Sequence, residues 1–198
     1  MWRNGEADSN GVVTNGQSMA LDCKNTLLHA TTETQALVAM GLTDIIAVAM
    51  PDAVLVAPKD RAQDVKKAVE LLKAKDIAQA EVFPKDYRPW GWFESLTLGH
   101  RFQVKRIYVK PGAALSLQSH KHRSEHWIVV EGTAKVTIDN ETKNVKEGQS
   151  VYVPLGAKHR MENPGKSSMV LIEVQIGAYL GEDDIIRYED RYLRNLEQ

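Results

Sequence analysis

The stretch "SLQSHKHRSEHWIVVEG", residues 116–132, holds His120, His122, Glu125 and His126, three of the chain's six histidines with a carboxylate between them. His159 follows in "GQSVYVPLGAKHRMEN", residues 148–163. Three imidazoles and one carboxylate suit zinc first, with manganese, iron or nickel as alternatives, and leave coordination positions open for water or substrate oxygens. The competing reading is a solvated polar turn between strands. Strand side chains alternate sides, so Ser116, Gln118, His120 and His122 are predicted on one face, with both imidazoles aimed at one interior point. After a short turn, a second strand would send Glu125, Trp127 and Val129 to one face and His126, Ile128 and Val130 to the other, so only one of Glu125 and His126 aims inward. Gln118 stands open between a further ligand, a contact to a substrate hydroxyl and an inward amide that satisfies backbone groups.

The scaffold these residues require is readable in outline. The chain has 198 residues, 43% of them hydrophobic and 26% charged, enough for one globular domain or one with a partial neighbour. Lys plus Arg total 25 against 26 for Asp plus Glu, so there is no electrostatic footprint for nucleic acid or an anionic membrane. An acidic substrate must be held by a local cluster. Cys23 is the only cysteine, which rules out an intrachain disulfide, and residues 1–20 lack the basic-then-apolar run of a secretory signal, so the cytoplasm is the expected compartment. The longest apolar stretch, residues 45–56, is broken by Pro51 and Asp52, far short of the roughly 20 residues of a membrane helix.

Along the chain, Asn10-Gly11 and Asn15-Gly16 mark turns between short strands in residues 2–35, with partial disorder near Met1 as an alternative. The runs 45–50 and 53–56 are predicted as a pair of buried strands. Val65, Ala68, Val69 and Leu72 share one helical face, and Asp60 with Gln63 has capping-box spacing, so a helix is predicted over 61–74. Composition changes around Arg88-Pro89-Trp90-Gly91-Trp92, dividing 1–85 from 86–198. Residues 93–177 read as short alternating strands between turns at Pro111-Gly112, Asp139-Asn140, Glu147-Gly148 and Asn163-Pro164-Gly165, the pattern of an all-β sandwich or barrel. The charged tail, residues 181–198, with Ile185, Ile186, Tyr188, Tyr192 and Leu193 interspersed, is expected as a short helix packed on the barrel or on a partner.

The pattern from Gly112 through His120, His122 and Glu125 to Gly132, followed by Gly148, Pro154, Gly156, His159 and Asn163, resembles the two signature motifs of the cupin superfamily, whose barrel commonly holds a divalent metal. The second motif matches at every defining position. The first departs, with seven residues instead of five between Gly112 and His120 and only two between His122 and Glu125. The six residues between Glu125 and Gly132 keep the usual spacing, so the resemblance favours Glu125 over His126. It implies His120, His122, Glu125 and His159 as metal ligands.

A closer resemblance covers almost the whole chain. "RPWGWFESL", "RFQVKRIYVKPGAALSLQSHKHRSEHWIVVEGTA", "VPLGAKHRMENPG" and "LIEVQIGAYLGEDDIIRYEDRYLR" are similar to the C-terminal isomerase domain of bacterial type II phosphomannose isomerase/mannose-1-phosphate guanylyltransferases. Residues 2–75 resemble the tail of that family's guanylyltransferase half, and no G-x-G-x-x-G or Walker pattern occurs in the chain. The resemblance therefore implies a mainly β fold, a cupin (double-stranded β-helix or jelly-roll) barrel preceded by a small α/β remnant with short β-helix-like strands and one helix. The implied activity is interconversion of mannose 6-phosphate and fructose 6-phosphate in the supply of GDP-mannose and polysaccharide precursors, without guanylyl transfer. A sugar phosphate is the expected small-molecule partner, with no nucleic acid or membrane, and a homodimer is left open.

That reaction needs a proton carrier and a phosphate clamp. Glu173 and Gln175 alternate with Ile172 and Val174, so one polar pair is predicted to face the cavity, and Lys105, sharing a face with Ile107, is a second candidate base. Arg123 follows His122 directly and is expected at the pocket rim with its planar fork on the phosphate, with Lys121, Lys158 and Arg160 at the same mouth. A metal-dependent cupin oxygenase and a non-catalytic sugar-phosphate-binding cupin are the alternatives.

Overall fold

The computed structural model describes residues 6–189 and 191–192. The expectation of disorder near Met1 lies outside them. The chain divides into two compact units, Met1–Phe83 and Pro84–Gln198, two residues ahead of the break read from composition. No helix among the described residues is long and apolar enough to cross a membrane.

In the first unit the Asn-Gly turns separate very short strands: β1 (Val13–Asn15), β2 (Ser18–Leu21), β3 (Leu27–Ala30), β4 (Leu37–Met40) and β5 (Ile45–Ala49). β1, β3 and β5 pair in parallel, as do β2 and β4, so successive turns of chain stack as coils of a β-helix. The coil interior is narrow, and small residues fill much of it: Val12, Cys23, Leu28, Ala39 and Ala47. Gly16 is required at its corner, because its φ is 67° and a Cβ there would sit 2.1 Å from the Ala30 carbonyl oxygen. β6 (Val54–Pro58) closes the sheet antiparallel to β5. The expected pair of buried strands is only half realised: β6 is an edge strand with one face outward, leaving Val54 and Val56 62% and 61% exposed. The helix predicted over 61–74 is also shorter. Lys59–Asp64 forms 3-10 turns and only α1, Val65–Lys73, is α-helical. The spacing of Asp60 and Gln63 makes no cap; Asp64 takes the N-cap position and its carboxylate pairs with Arg61 and Lys67 instead.

The second unit is the barrel. Its strands are β7 (Lys85–Arg88), β8 (Gly91–Leu98), β9 (Phe102–Val109), β10 (Leu117–His120), β11 (Arg123–Glu131), β12 (Thr133–Ile138), β13 (Glu141–Lys146), β14 (Ser150–Val153), β15 (His159–Glu162), β16 (Met169–Gly177) and β17 (Ile185–Glu189). They form a six-stranded sheet in the order β14-β11-β16-β9-β8-β7 and a five-stranded sheet in the order β13-β12-β15-β10-β17, with antiparallel pairing throughout. Gly112 and Gly148 supply the left-handed backbone of their turns, with φ 67° and 77°. Asn163 ties the last of the expected turns: its side-chain amide donates to the carbonyls of Val109 and Ser167, and its oxygen accepts from the Gly165 N–H. Because Asn163 is buried, Asn163→Ala leaves those carbonyls short of a donor and should lower stability by about 2 kcal/mol, read as a shift in urea midpoint at unchanged m-value.

The inward faces of β11, β16 and β9 change character row by row. Val129, Leu171 and Ile107 lie in register and belong to the apolar core; the next row is Trp127, Glu173 and Lys105; the next contains Glu125 and Gln175; and Arg123 lies opposite Gly177. One end of the barrel is therefore a packed core and the other a polar cavity. Gly177 permits that junction, since a Cβ there would lie 2.1 Å from the His122 carbonyl oxygen and 2.7 Å from the Arg123 Cα. The tail departs from the helical expectation. Glu182–Asp184 is a single 3-10 turn and β17 pairs antiparallel with β10, with Ser119 opposite Ile186 and His120 opposite Ile185, because the otherwise open edge of β10 takes a strand partner. Leu193 and the rest of that segment lie outside the described residues.

Candidate active site

His120 ends β10, Glu125 sits on the inward face of β11 and His159 begins β15. Their ligand atoms lie within 4.8 Å of one another and all three side chains are buried. His120 Nε2 is 3.0 Å from Glu125 Oε1 and His159 Nε2 is 3.7 Å from Glu125 Oε2, yet neither nitrogen is aligned in a hydrogen bond. The Pro-Gly segment seats the second histidine: the Gly156 N–H donates to the His120 carbonyl, the Ala157 N–H donates to the Pro154 carbonyl, and His159 Nδ1 lies 2.9 Å from the Ala157 carbonyl. That last contact places the proton on Nδ1 and leaves the Nε2 lone pair facing the cavity. Burial opposes the charge on Glu125, but the close contact and charge of His120 together with the Arg123 guanidinium hold its carboxyl well below the usual range, while burial pushes His159 below the usual imidazole value. An ionised carboxylate and two imidazole nitrogens without partners, converging in a buried site, form a donor set that fits a divalent cation. Gln118 lines the same cavity opposite His159, with its carbonyl oxygen accepting from Ser116 Oγ.

His122 is not in this group. β10 stops at His120, so strand alternation does not extend to His122, whose side chain is 53% exposed. Asp184 captures it: the carboxylate accepts the backbone N–H groups of Lys121 and His122 and lies 2.8 Å from His122 Nδ1. The paired alternative on β11 resolves by the same geometry, with Glu125 inward and His126 outward against the Tyr152 ring.

Arg123 also departs from its expected place. β11 begins at Arg123, not beyond it, so the side chain turns into the barrel and is 2% exposed instead of standing at a solvated rim. Its Nε donates to Glu125 Oε1 at 3.2 Å and its Nη1 to the Gly181 carbonyl at 2.8 Å. Removing one member of a buried charge pair strands the other, so Arg123→Ala should cost about 3–5 kcal/mol in a denaturant titration, where an exposed arginine would cost almost nothing. Of the other rim candidates, Arg160 pairs with Glu162 and Glu189, and the Lys158 ammonium lies over the Tyr188 ring. Lys121 is exposed.

Glu173 and Lys105 face the cavity from adjacent strands, opposite one another. Burial, reinforced by the charge of Glu125, pushes the Glu173 carboxyl up to about 8. Trp127 Nε1–H donates to both Glu125 Oε2 and Glu173 Oε1 at 3.1 Å, and Gln175 Nε2–H donates to Glu125 Oε1 at 3.2 Å and Glu173 Oε2 at 2.8 Å. Two carboxylates are thus fixed side by side in different protonation states, the arrangement that sorts an acid–base group from a ligand. The Lys105 ammonium pairs with Glu182 and lies 4.7 Å from the Phe93 ring centre. Arg88 also lines the cavity. Sequence reading missed Arg88, Glu182 and Asp184. The latter two arrive only because β17 docks beside β10, and no local pattern announces that pairing.

Comparisons with known proteins agree with this architecture. Residues 75–190 match the family model described as mannose-6-phosphate isomerase C-terminal, and residues 16–72 match the MannoseP isomerase/GMP-like beta-helix domain. A mannose-1-phosphate guanylyltransferase of Salmonella montevideo is 51% identical over 98% of this chain, and the alginate biosynthesis protein AlgA of Pseudomonas aeruginosa is 49% identical over 100% of it. The chain spans 41% and 40% of those relatives' own lengths. Among solved structures, an RmlC-like cupin from Shewanella frigidimarina is 25% identical over 52% of this chain and 88% of its own, with a TM-score of 0.45. Since the first family model spans more than half of the chain, the protein belongs to the mannose-6-phosphate isomerase C-terminal family.

Proposed function

We propose that the barrel is a metal-dependent aldose–ketose isomerase that interconverts mannose 6-phosphate and fructose 6-phosphate, and that these 198 residues do not transfer guanylyl groups, since they contain no phosphate-cradling glycine loop. The observation that carries the reading is Glu173, a buried carboxyl raised to about 8 that lines a cavity with Glu125, the carboxylate grouped with His120 and His159. Isomerisation moves a proton from C2 of the open-chain aldose to C1, with a second proton passing between the two oxygens. His120, Glu125 and His159 would hold a divalent cation, which would supply Lewis-acid polarisation of the sugar oxygens. Glu173 takes the C2 proton and returns it to C1. A carboxyl with this affinity for a proton is matched to transfer near neutral pH. Trp127 and Gln175 hold its two oxygens, so the carboxyl does not swing during the transfer, and Lys105, Arg123 and Arg88 balance the charge of an anionic substrate. Fructose 6-phosphate formation from mannose 6-phosphate by the purified chain should be abolished by a chelator and restored by a divalent metal. Oxygen uptake in place of isomerisation would overturn the reading in favour of an oxygenase, and a chain inert in both assays in favour of a binding protein.

A further inference from the structure

The segment between β16 and β17 is a strap that starts and ends beside residues 121–122 and reaches the cavity at Glu182. Its ends are fastened: the Ala178 N–H donates to the His122 carbonyl, and Asp184 is held by the backbone of Lys121 and His122. Its middle makes two contacts with the cavity wall, Gly181 O with Arg123 and the Glu182 carboxylate with Lys105. The Lys105 side chain is 4% exposed and that of Glu182 is 43% exposed, so an acid on the solvent side reaches inward to a buried ammonium. Arg123 and Arg88 line the same cavity, and both add to the positive field on Glu182. Arg123 is paired with Glu125 and Arg88 with Asp86, whereas the Lys105 ammonium on the barrel wall takes its carboxylate partner from a separate loop. We propose that Glu182 occupies the seat of the substrate's phosphate, and that a phosphate monoester binds by displacing this carboxylate from Lys105 and releasing the middle of the strap. The exchange is favourable in kind, because a phosphate brings more charge and three acceptor oxygens where a carboxylate brings two. The assignment rests on the sugar-phosphate reading of the site and adds a built-in competitor to it.

If Glu182 competes, neutralising it should strengthen phosphate binding; if it is only a clamp for the strap, neutralising it should weaken or not change binding. Calorimetric titration of inorganic phosphate into the metal-loaded full chain is expected to show about tenfold or greater tightening in Glu182→Gln, because the occupied seat no longer lowers apparent affinity. KM for fructose 6-phosphate should fall in parallel. Amide exchange of residues 178–184 should speed up when phosphate is added to the wild type, and should already be fast and insensitive to phosphate in Glu182→Gln. Unchanged or weaker phosphate binding by Glu182→Gln overturns the proposal, and that partly exposed side chain can be neutralised without touching the core. Lys105→Met should lose phosphate binding; should this buried change prevent folding, the Glu182→Gln titration decides alone. Tighter phosphate binding in a chain that isomerises no sugar phosphate would keep the seat and remove the isomerase reading. Active isomerase whose phosphate affinity ignores Glu182→Gln would do the reverse.

Discussion

Glu173→Gln should lower kcat for mannose 6-phosphate isomerisation by roughly 10²- to 10⁴-fold, the usual contribution of a positioned acid–base group, with metal content unchanged. The amide is close in shape: its oxygen can still accept from Trp127 and its NH2 can donate to the Gln175 amide oxygen once that amide turns, so the fold is kept while the proton carrier is lost. A second readout follows from its titration. The folded carboxyl sits at about 8 against 4.5 for the free group, so folding favours the protonated form. Its contribution is fullest below 4.5 and is lost as pH rises through about 8, so the metal-free protein should lose stability on the order of a few kcal/mol between pH 5 and 9. Glu173→Gln should flatten that slope, seen in urea midpoints across the range. An active Glu173→Gln would transfer the proton role elsewhere, with Lys105 the next candidate. A flat wild-type profile would mean that Glu173 is already ionised in the folded chain.

The parts of this site that were legible in the sequence are those fixed by short-range periodicity on long strands. Glu125 falls on the face shared with Trp127 and Val129, whose burial settles which side is inward, and Glu173 with Gln175 alternates against Ile172 and Val174 in the same way. His159 is set by Pro154 and Gly156, residues whose backbone demands show in any sequence. What escaped depends on where a strand stops. Residues 123–124 read as the turn between two strands, yet β11 starts at Arg123, so a residue expected at the pocket rim points into the barrel, and His122, expected to point in, sits in the bend. The agent is distant: Asp184, 62 residues beyond His122, draws that imidazole outward. The same docking of residues 182–189 turned an expected tail helix into a 3-10 turn and an edge strand, since pairing with β10 outweighs the local pattern. The short strands of the first unit were readable from their Asn-Gly turns, and their β-helix-like character was implied by the family resemblance, but the exposure of Val54 and Val56 was not readable, because a strand's place at the edge of a sheet is not written in its own residues.

The two histidines of the His-x-His pair should therefore behave differently toward metal. His159→Ala or His120→Ala removes one of two imidazoles from a three-residue donor set and should reduce bound metal from near one per chain to background, with isomerisation lost alongside it. His122→Ala should keep full stoichiometry, because its imidazole contacts Asp184 instead of the cavity. The Asp184 carboxylate still receives the backbone N–H groups of residues 121 and 122 in that variant, so the end of the strap stays fastened. Circular dichroism separates loss of a ligand from loss of the barrel, and folding should persist in each variant because the apolar rows around Val129, Leu171 and Ile107 are untouched. Elemental analysis of the purified variants checks the set. Metal lost equally from His122→Ala and His159→Ala would mean that His122 rotates inward when the ion binds and that the strand-period reading describes the loaded site. Metal retained by His122→Ala alone leaves His120, Glu125 and His159 as its holders, with Gln118, opposite His159, the adjacent oxygen donor and the next to replace.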